Sequence, residues 1–332
     1  MTIKTDVLYS QWWHNTVISK LKTGESNRSI ASSVFGNSSF ESRIRTFLER
    51  EDVKSILSRM SSEDEFKRKQ HKPRILYFDL ESSLMEGYFF RIWDENIPMR
   101  RVKKQSHLLS ASWAFNDEEV QGVRVSPEQV KVSDDLDVVV KMVEAVNSAD
   151  LIVTFNGKKF DVKLLNTRAL FWGLPPIRQP KHIDLFEQAK RVFKFPSNSM
   201  QNISMYLGEE GKLQTSGNNL WERCAEWENY EECDKALEEM LLYNKKDIDA
   251  TRDLYYRFQG WMKNVPNLGT ITNENTENKT LRCVHCGSDD IFAMNDKTYT
   301  SASSFDLYRC GNETCRGISR VTKNGKQLVG VI

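Results

Sequence analysis

The sequence of 332 residues lacks several features that would assign it to a particular class of protein. It contains no apolar run near the roughly 18 residues that a membrane helix needs. Its first residues lack the basic-then-apolar layout of a signal peptide, so we expect a cytoplasmic protein. The formal net charge of +1 excludes a uniformly basic chain and indicates little about partners. No internal repeat or low-complexity tract is present.

Hydrophobic residues make up 39% of the chain and charged residues 28%, as in soluble globular proteins. The length suffices for one full core with smaller appended units. Lys and Arg are in excess before residue 75, whereas Asp and Glu are in excess over residues 209–253. Such asymmetry suits nucleic-acid contact beside a metal site, but ordinary solvated helix faces also produce it.

Cysteine is scarce outside one short segment near the carboxyl end. Four of the six cysteines form two knuckles, with two and four residues inside them: Cys283, Cys286, Cys310 and Cys315. This spacing suits one tetrahedral Zn²⁺, and the β-like sequence between the knuckles resembles a zinc ribbon. Because cysteine fills all four positions, the ion would be structural, and His285 would be a bystander. Four free thiols are the alternative.

The N-terminal residues 1–60 predict a small helical module. The segments "RSIASSVF" and "FESRIRTFLER" read as two short helices joined by a turn at Gly36-Asn37. The pattern resembles a helix-turn-helix in which residues 38–49 would be the recognition helix. Arg43 and Arg45 are then candidates, with Ser39 and Ser42, to face a nucleic-acid groove. An ordinary packing hairpin has the same pattern.

The remaining chain divides by composition. A charged connector at 61–73 precedes a main domain at 74–262, a polar linker at 263–280 and the cysteine-bearing module at 281–332. Within the main domain we predict strands at "RILYFDLESS", "YFFRIWD", "HLLSASWAFND", "EVQGVRV", "DLIVTF" and "KHIDLF". Helices are expected between the later strands and over about 185–262. This order predicts an α/β domain whose mixed sheet is flanked by helices.

Carboxylates occur at the ends of these elements. Asp79 and Glu81 are two residues apart on a predicted strand, so they point to one face. Asp161 follows the strand "DLIVTF" and begins a helix, where it could also simply complement the helix dipole. Asp247 lies four residues after Tyr243 on a late helix, so the two share a face. A lone D-x-E pair could be surface charge at a strand end; the three segments together indicate more.

Four carboxylates from three segments form a set of hard oxygen ligands that suits Mg²⁺ or Mn²⁺. Two such ions about 3.5–4 Å apart can activate water and stabilise the leaving oxygen of a phosphodiester. Burying Asp79 and Glu81 side by side would otherwise cost several kcal/mol. The sequence therefore predicts a site for two catalytic divalent ions.

The order D-x-E, N-x-x-x-F-D and Y-x-x-x-D resembles the DEDD 3′–5′ exonucleases, in the branch with tyrosine in the third motif. "FNGKKFD" and "YNKKD" are most similar to the exonuclease domain of family B DNA polymerases. The resemblance covers about residues 74–262. It implies an RNase H-like fold and Mg²⁺- or Mn²⁺-dependent removal of nucleotides from a 3′ end. DNA is the favoured substrate, and the sequence leaves the choice between DNA and RNA open.

The resemblance also implies individual roles. Asp79, Glu81, Asp161 and Asp247 would bind the metal ions, and Tyr243 would orient the attacking water. Substrate would be contacted by Asn156 and Phe160 near the terminal nucleotide, and by Lys212 at a phosphate. For Lys212 a solvent-exposed lysine without a role is the favoured alternative.

Partners and alternatives remain open at the level of sequence. No polymerase motif fits in the remaining length, so a proofreading role would require a separate polymerase or another replication or repair protein as partner. The basic residues of the cysteine module suit nucleic-acid backbone contact or protein docking equally. An RNase H-like endonuclease or RNase is one alternative function, and a non-catalytic DNA-binding protein is another.

Overall fold

The computed structural model describes residues 26–35, 38–49, 73–208, 219–274 and 280–331. Lys212 lies outside these residues, as do much of the predicted N-terminal module and all but one residue of the predicted connector at 61–73. The chain forms two compact units, one of Met1–Gln70 with Asn166–Ile177 and one of His71–Leu165 with Arg178–Ile332.

In the first unit, the described N-terminal residues form two helices with a 3₁₀ turn before the second. These elements are α1 (Asn27–Phe35), the 3₁₀ turn (Ser38–Phe40) and α2 (Glu41–Leu48). Ile30, Ala31 and Ile44 are fully buried between them, and Leu48 packs on this small core. Two short helices therefore occur where the sequence predicts them. A groove-reading function for α2 stays a prediction.

The second unit is built on a mixed five-stranded sheet. The strands before the last long helix are β1 (Ile75–Ser82), β2 (Glu86–Gly87), β3 (Val102–Lys104), β4 (Leu108–Phe115), β5 (Gln121–Arg124), β6 (Leu151–Thr154) and β7 (Lys181–Asp184). The sheet order is β5-β4-β1-β6-β7, while β2 and β3 form a separate two-stranded ribbon. β6 runs parallel to β1 and to β7, whereas β4 is antiparallel to β1 and β5. β1 is thus central, and its carboxyl end is placed among the other elements.

Helices flank this sheet. They are α3 (Pro127–Val132), α4 (Leu136–Ser148), α5 (Asp161–Phe171), α6 (Leu185–Val192), α7 (Met200–Tyr206), α8 (Leu220–Ala225), α9 (Tyr230–Phe258) and α10 (Leu268–Glu274). The 29-residue α9 packs across β1, β4 and β5. Tyr77 of β1 meets Tyr255 of α9 edge-to-face, with 5.5 Å between ring centroids, inside the main core. None of the helices in the described part of the chain combines the length and apolar character needed to cross a bilayer.

One strand prediction is wrong. The segment "YFFRIWD", residues 88–94, forms bends and not a strand, and all seven residues are exposed. Glu95 explains the absence of a strand, because its carboxylate accepts hydrogen bonds from the backbone N–H groups of Phe90 and Arg91. These two amides are thereby unavailable to a partner strand. The aromatic and β-branched composition had favoured a strand.

The carboxyl-terminal residues form a small antiparallel sheet, as predicted. Its order is β11-β10-β9-β8, from β8 (Ile291–Thr300), β9 (Ser303–Cys310), β10 (Ile318–Val321) and β11 (Leu328–Gly330). Helix α10 lies inside the segment 263–280 whose polar composition predicts a linker. Leu268, at its start, is buried in the main core, and its N–H donates to Val284 O at 2.9 Å. Val265 and Ile271 pack against the same core, so three apolar residues anchor a segment that is otherwise polar.

Candidate active site in an acidic cavity

A cavity of about 540 Å³ lies at the carboxyl ends of β1 and β6, beside α9. It is lined by Asp79, Leu80, Glu81, Phe155, Asn156, Phe160, Asp161, Phe186, Asn198, Ser199, Met200 and Asp247. All four sequence-predicted carboxylates are in this lining, as are both predicted substrate contacts of the second motif. The volume is in the range of pockets that hold a small organic ligand.

Three of the carboxylates come together closely. Oxygen atoms of Asp79, Glu81 and Asp247 lie within 4.8 Å of one another. Asp79 and Glu81 share a face because they alternate along β1, and α9 brings Asp247 to that face. Asp247 is buried, whereas Asp79 and Glu81 are half-buried at the cavity. A cluster of like charges at this spacing is stable when a cation binds between them.

Asp161 lies on another wall of the cavity, outside the cluster of three. Its Oδ1 accepts the backbone N–H of Leu80 at 3.0 Å, so the carboxylate is tied to the centre of the D-x-E motif. Burial, with a smaller contribution from the charge of Asp184, raises the pKa of Asp161 to about 6. A bound cation would favour its ionised form, as it does for any carboxylate ligand.

Small residues allow α9 to approach the acids. Asp79 pairs with Ser112 on β4, and Ser112 pairs with Gly122 on β5, so the three lie in one row across the sheet. A Cβ at Gly122 would lie 2.7 Å from the Lys245 side chain and 2.8 Å from that of Leu241. A side chain at position 122 would therefore require the ends of the Lys245 and Leu241 side chains to move. Sequence reasoning did not identify this row, because strand pairing is needed to see it.

Asn244 is a second residue that sequence reasoning missed. It is fully buried on α9, and its Nδ2 donates to Asp79 Oδ2 at 2.6 Å. Asn244 thus orients one carboxylate of the cluster from the helix that carries another. A signal was present, since Asn244 is three residues before Asp247 and therefore on the same face of the helix.

The other predicted site residues are placed differently. Tyr243 is half-buried, packs edge-on against Trp221 with 6.3 Å between centroids, and is not part of the cavity lining. Phe160 lines the cavity with 64% of its surface exposed. Arg45 is exposed in the first unit, the side chain of Arg43 is not described, and Lys212 lies outside the described residues.

A tight turn positions the second motif. Asn156 has a positive φ of 68°, and a Cβ at Gly157 would lie 2.4 Å from Thr154 Oγ1 and 2.9 Å from Asp161 Oδ2. Asp184 fixes the turn, because its two carboxylate oxygens accept the backbone N–H groups of Asn156 and Lys158 at 2.9 and 3.1 Å. The same carboxylate caps α6. Asp184 ends β7, and sequence reasoning gave it no role.

We expect Asp184→Asn to destabilise the protein by about 2–4 kcal/mol. The amide replaces one acceptor oxygen by a donor, so buried backbone N–H groups lose a charged partner. Urea unfolding measures the change, with the exposed Asp137→Asn as the matched control, expected within about 0.5 kcal/mol of the parent. Equal stability of the two variants would show that Asp184 does not hold the turn.

His182 lies near this turn and makes the free energy of unfolding depend on pH. Its Nε2 lies 2.8 Å from Thr154 Oγ1, and burial, followed by the charge of Lys158, lowers the pKa of His182 to about 4. The unfolded chain, with a pKa near 6.5, binds this proton first. Stability contributed by neutral His182 is therefore complete above about pH 6.5 and is lost as the pH falls toward 4.

We expect His182→Gln to remove part of this pH dependence. Between pH 6.5 and 4 the parent should lose about 2 kcal/mol more unfolding free energy than the variant. Chemical unfolding at several pH values in this window measures both curves. Parallel curves would contradict a neutral, buried His182 in the folded protein.

A second possible metal site lies in the C-terminal module. The sulfur atoms of Cys283, Cys286, Cys310 and Cys315 lie within 4.8 Å of one another. Hydrogen bonds from the other thiols, first from Cys286, lower the pKa of the Cys283 thiol. The backbone N–H of His285 donates to Cys283 Sγ at 3.4 Å, while burial lowers the pKa of its imidazole. Four convergent sulfurs fit a tetrahedral thiophilic ion such as Zn²⁺.

Part of the chain is similar to known proteins. Residues 103–259 match the family model described as RNase_H superfamily, a range that includes Asp161 and Asp247 and begins after Glu81. A family B DNA polymerase from the hyperthermophilic archaeon Pyrobaculum calidifontis matches with 17% identity and a TM-score of 0.41. The alignment covers 57% of this chain but only 25% of the polymerase. Among curated proteins, none matches the sequence. The mixed sheet is RNase H-like, which confirms the predicted fold class.

Proposed function

We propose that this protein is a metal-dependent 3′–5′ exonuclease acting on DNA. The observation that carries the proposal is the convergence of Asp79, Glu81 and Asp247 to within 4.8 Å in a cavity that Asp161 also lines. The order of these residues along the chain is the order of the exonuclease motifs. The RNase H-like sheet, found also in nucleases, is consistent with the proposal.

The donor set fits Mg²⁺ or Mn²⁺. Asp79, Glu81, Asp161 and Asp247 would hold two ions, since carboxylate oxygens are the ligands that these ions prefer. Bound there, the ions would supply an activated water and charge stabilisation for the leaving oxygen. Asn244 keeps Asp79 oriented toward this position, and the Leu80 N–H keeps Asp161 in place.

The substrate end of the cavity is formed by the second motif and its neighbours. Asn156 and the exposed ring of Phe160 would contact the terminal nucleotide, and the remaining wall is provided by Phe155, Phe186 and Met200. Tyr243 would orient the attacking water only after its side chain leaves Trp221 and turns toward the cavity. Tyr243→Phe should therefore lower hydrolysis less than loss of a carboxylate.

The four C-terminal sulfurs would hold one structural Zn²⁺. All four positions around the ion are then filled by protein, which leaves no position for substrate. The ion would fix the module against the end of α9, where a Cβ at Gly260 would lie 1.9 Å from Cys315 O. Contact this close requires glycine at position 260.

A time course on labelled strands tests the function. Oligonucleotides of DNA and RNA, single- and double-stranded, are labelled at either end and incubated with Mg²⁺, Mn²⁺ or chelator. We expect DNA strands to shorten from the 3′ end and to release mononucleotides. Both results should be absent when chelator is present. Cuts in a circular strand would assign an endonuclease instead, and binding without cleavage would assign a DNA-binding protein.

A further inference from the structure

The segment after the D-x-E motif carries a group of exposed apolar side chains. We call residues 84–104 the aromatic arm; it begins three residues, or at most about 11 Å of chain, beyond Glu81. Its large exposed side chains are Leu84, Met85, Tyr88, Phe89, Phe90, Ile92, Trp93, Ile97 and Met99. Phe90 is 83% exposed and Trp93 79%. Many large apolar side chains exposed in one short segment indicate an interaction site.

The aromatic arm has a defined shape. Its two ends pair as the β2–β3 ribbon, and Tyr88 N–H donates to Arg101 O at 2.9 Å. Glu95 closes the tip, because it accepts the N–H groups of Phe90 and Arg91 at 2.7 and 2.9 Å and pairs with Arg101. The rings at the tip are therefore presented to solvent by a hydrogen-bonded turn.

The base of the arm is fixed near the acids. Ser83 directly follows β1, and its N–H donates to His107 O at 2.8 Å. Its hydroxyl also lies 2.9 Å from His107 Nδ1, and both side chains are buried. The chain that leaves β1 and the chain that enters β4 are thus hydrogen-bonded to each other next to Glu81. A ligand held on the arm would have one end beside the acidic cavity.

The aromatic arm also carries basic residues. The aromatic arm contains five Lys or Arg residues against three Asp or Glu. Lys103 lies over the Tyr88 ring at 4.8 Å, while Arg91 and Arg100 are exposed and form no ion pair with any residue that the structure describes. Exposed cations in the same segment as exposed rings favour an anionic, aromatic ligand over an apolar protein surface.

We propose that the aromatic arm binds single-stranded nucleic acid and leads its 3′ end to the acidic cavity. Bases would stack on rings such as Phe90 and Trp93, and the backbone phosphates would meet Arg91 and Arg100. A duplex keeps its bases stacked on each other, so the arm selects a single strand. This inference rests on the proposed function for the identity of the cavity, but the binding itself can be measured separately.

Binding is measured on the full chain made inactive by Asp79→Asn. Fluorescence anisotropy follows a labelled 12-nucleotide single strand of mixed sequence and the corresponding duplex. We expect Phe90→Ala and Trp93→Ala each to weaken single-strand binding about 5- to 150-fold. Phe292→Ala, at a 59% exposed aromatic of the C-terminal sheet, is the matched control and should leave binding unchanged. Arg91→Gln with Arg100→Gln should reduce the dependence of binding on salt.

A small substrate separates this inference from the proposed function. The p-nitrophenyl ester of thymidine 5′-monophosphate needs only the cavity, so with intact acids the arm variants should hydrolyse it at the parent rate while degrading oligonucleotides more slowly. Failure of every protein to hydrolyse the ester would remove the proposed function and leave the binding result standing. Unchanged single-strand affinity in both ring variants, or equal affinity for duplex, would overturn the arm's assignment and point to a protein partner.

Discussion

Asp79→Asn and Asp247→Asn should each lower the rate of 3′-end hydrolysis by on the order of 10³-fold or more. Each substitution replaces a charged oxygen ligand by a neutral amide in the cluster whose oxygens lie within 4.8 Å. The amide neutralises less of the charge on a divalent cation, and Asp79→Asn also places an NH₂ group near Asn244 Nδ2. Rates on a 3′-labelled strand with saturating Mn²⁺ measure the loss.

Stability of the same variants separates catalysis from folding. Removing one negative charge from a cluster of three relieves repulsion, so metal-free Asp247→Asn should be as resistant to urea as the parent or slightly more so. Asp79→Asn also loses the acceptor of the buried Asn244 amide and should be less resistant than Asp247→Asn. Asp249→Asn is the control on α9, since Asp249 pairs at the surface with Arg252 and cannot face the cavity together with Asp247. If Asp79→Asn were as active as Asp249→Asn, the assignment of the cavity as the active site would be wrong.

The spacing of residues along strands and helices explains which parts of the site could be predicted from the sequence. Two-residue alternation places Asp79 and Glu81 on one face of a strand, and an apolar run marks that strand in the sequence. Both residues line the cavity. The roles of Asp184 and Ser112 were not predictable from the sequence. Asp184 accepts a hydrogen bond from Asn156, which is 28 residues away along the chain, and Ser112 pairs with Asp79, which is 33 residues away. Such pairings are set by the whole sheet.

The two segments where the fold differs from expectation show the same limit. Residues 88–94 have strand-forming composition, but the carboxylate of Glu95 takes two of their amides. Residues 263–280 have linker composition, but Leu268 finds a place in the main core. Composition reports the average preference of a segment, whereas a few specific hydrogen bonds or apolar contacts decided each outcome.

If the four-cysteine site holds Zn²⁺ as proposed, removal of the ion should unfold the C-terminal sheet and weaken the sheet domain as well. In small modules that fold around zinc, binding of the ion contributes roughly 10–16 kcal/mol to the free energy of folding. Packing within a four-stranded sheet of this size cannot supply as much. The module also contacts the main core, through Val284 O at Leu268 and through Leu328 O, which accepts from Asn267 Nδ2 at 2.8 Å. Loss of the module would therefore free α10 and expose Leu268.

Cys315→Ser tests this coupling in the intact chain. We expect less than one zinc per chain by mass spectrometry, and amide hydrogen exchange that increases in β8–β11, in α10 and at the end of α9. Cys233→Ser is the matched control, because Cys233 is buried outside the cluster and its S–H donates to Cys224 O, a bond that a serine hydroxyl can replace. Exchange confined to β8–β11 would show an independent module. Equal zinc content in both variants would remove the metal from the site.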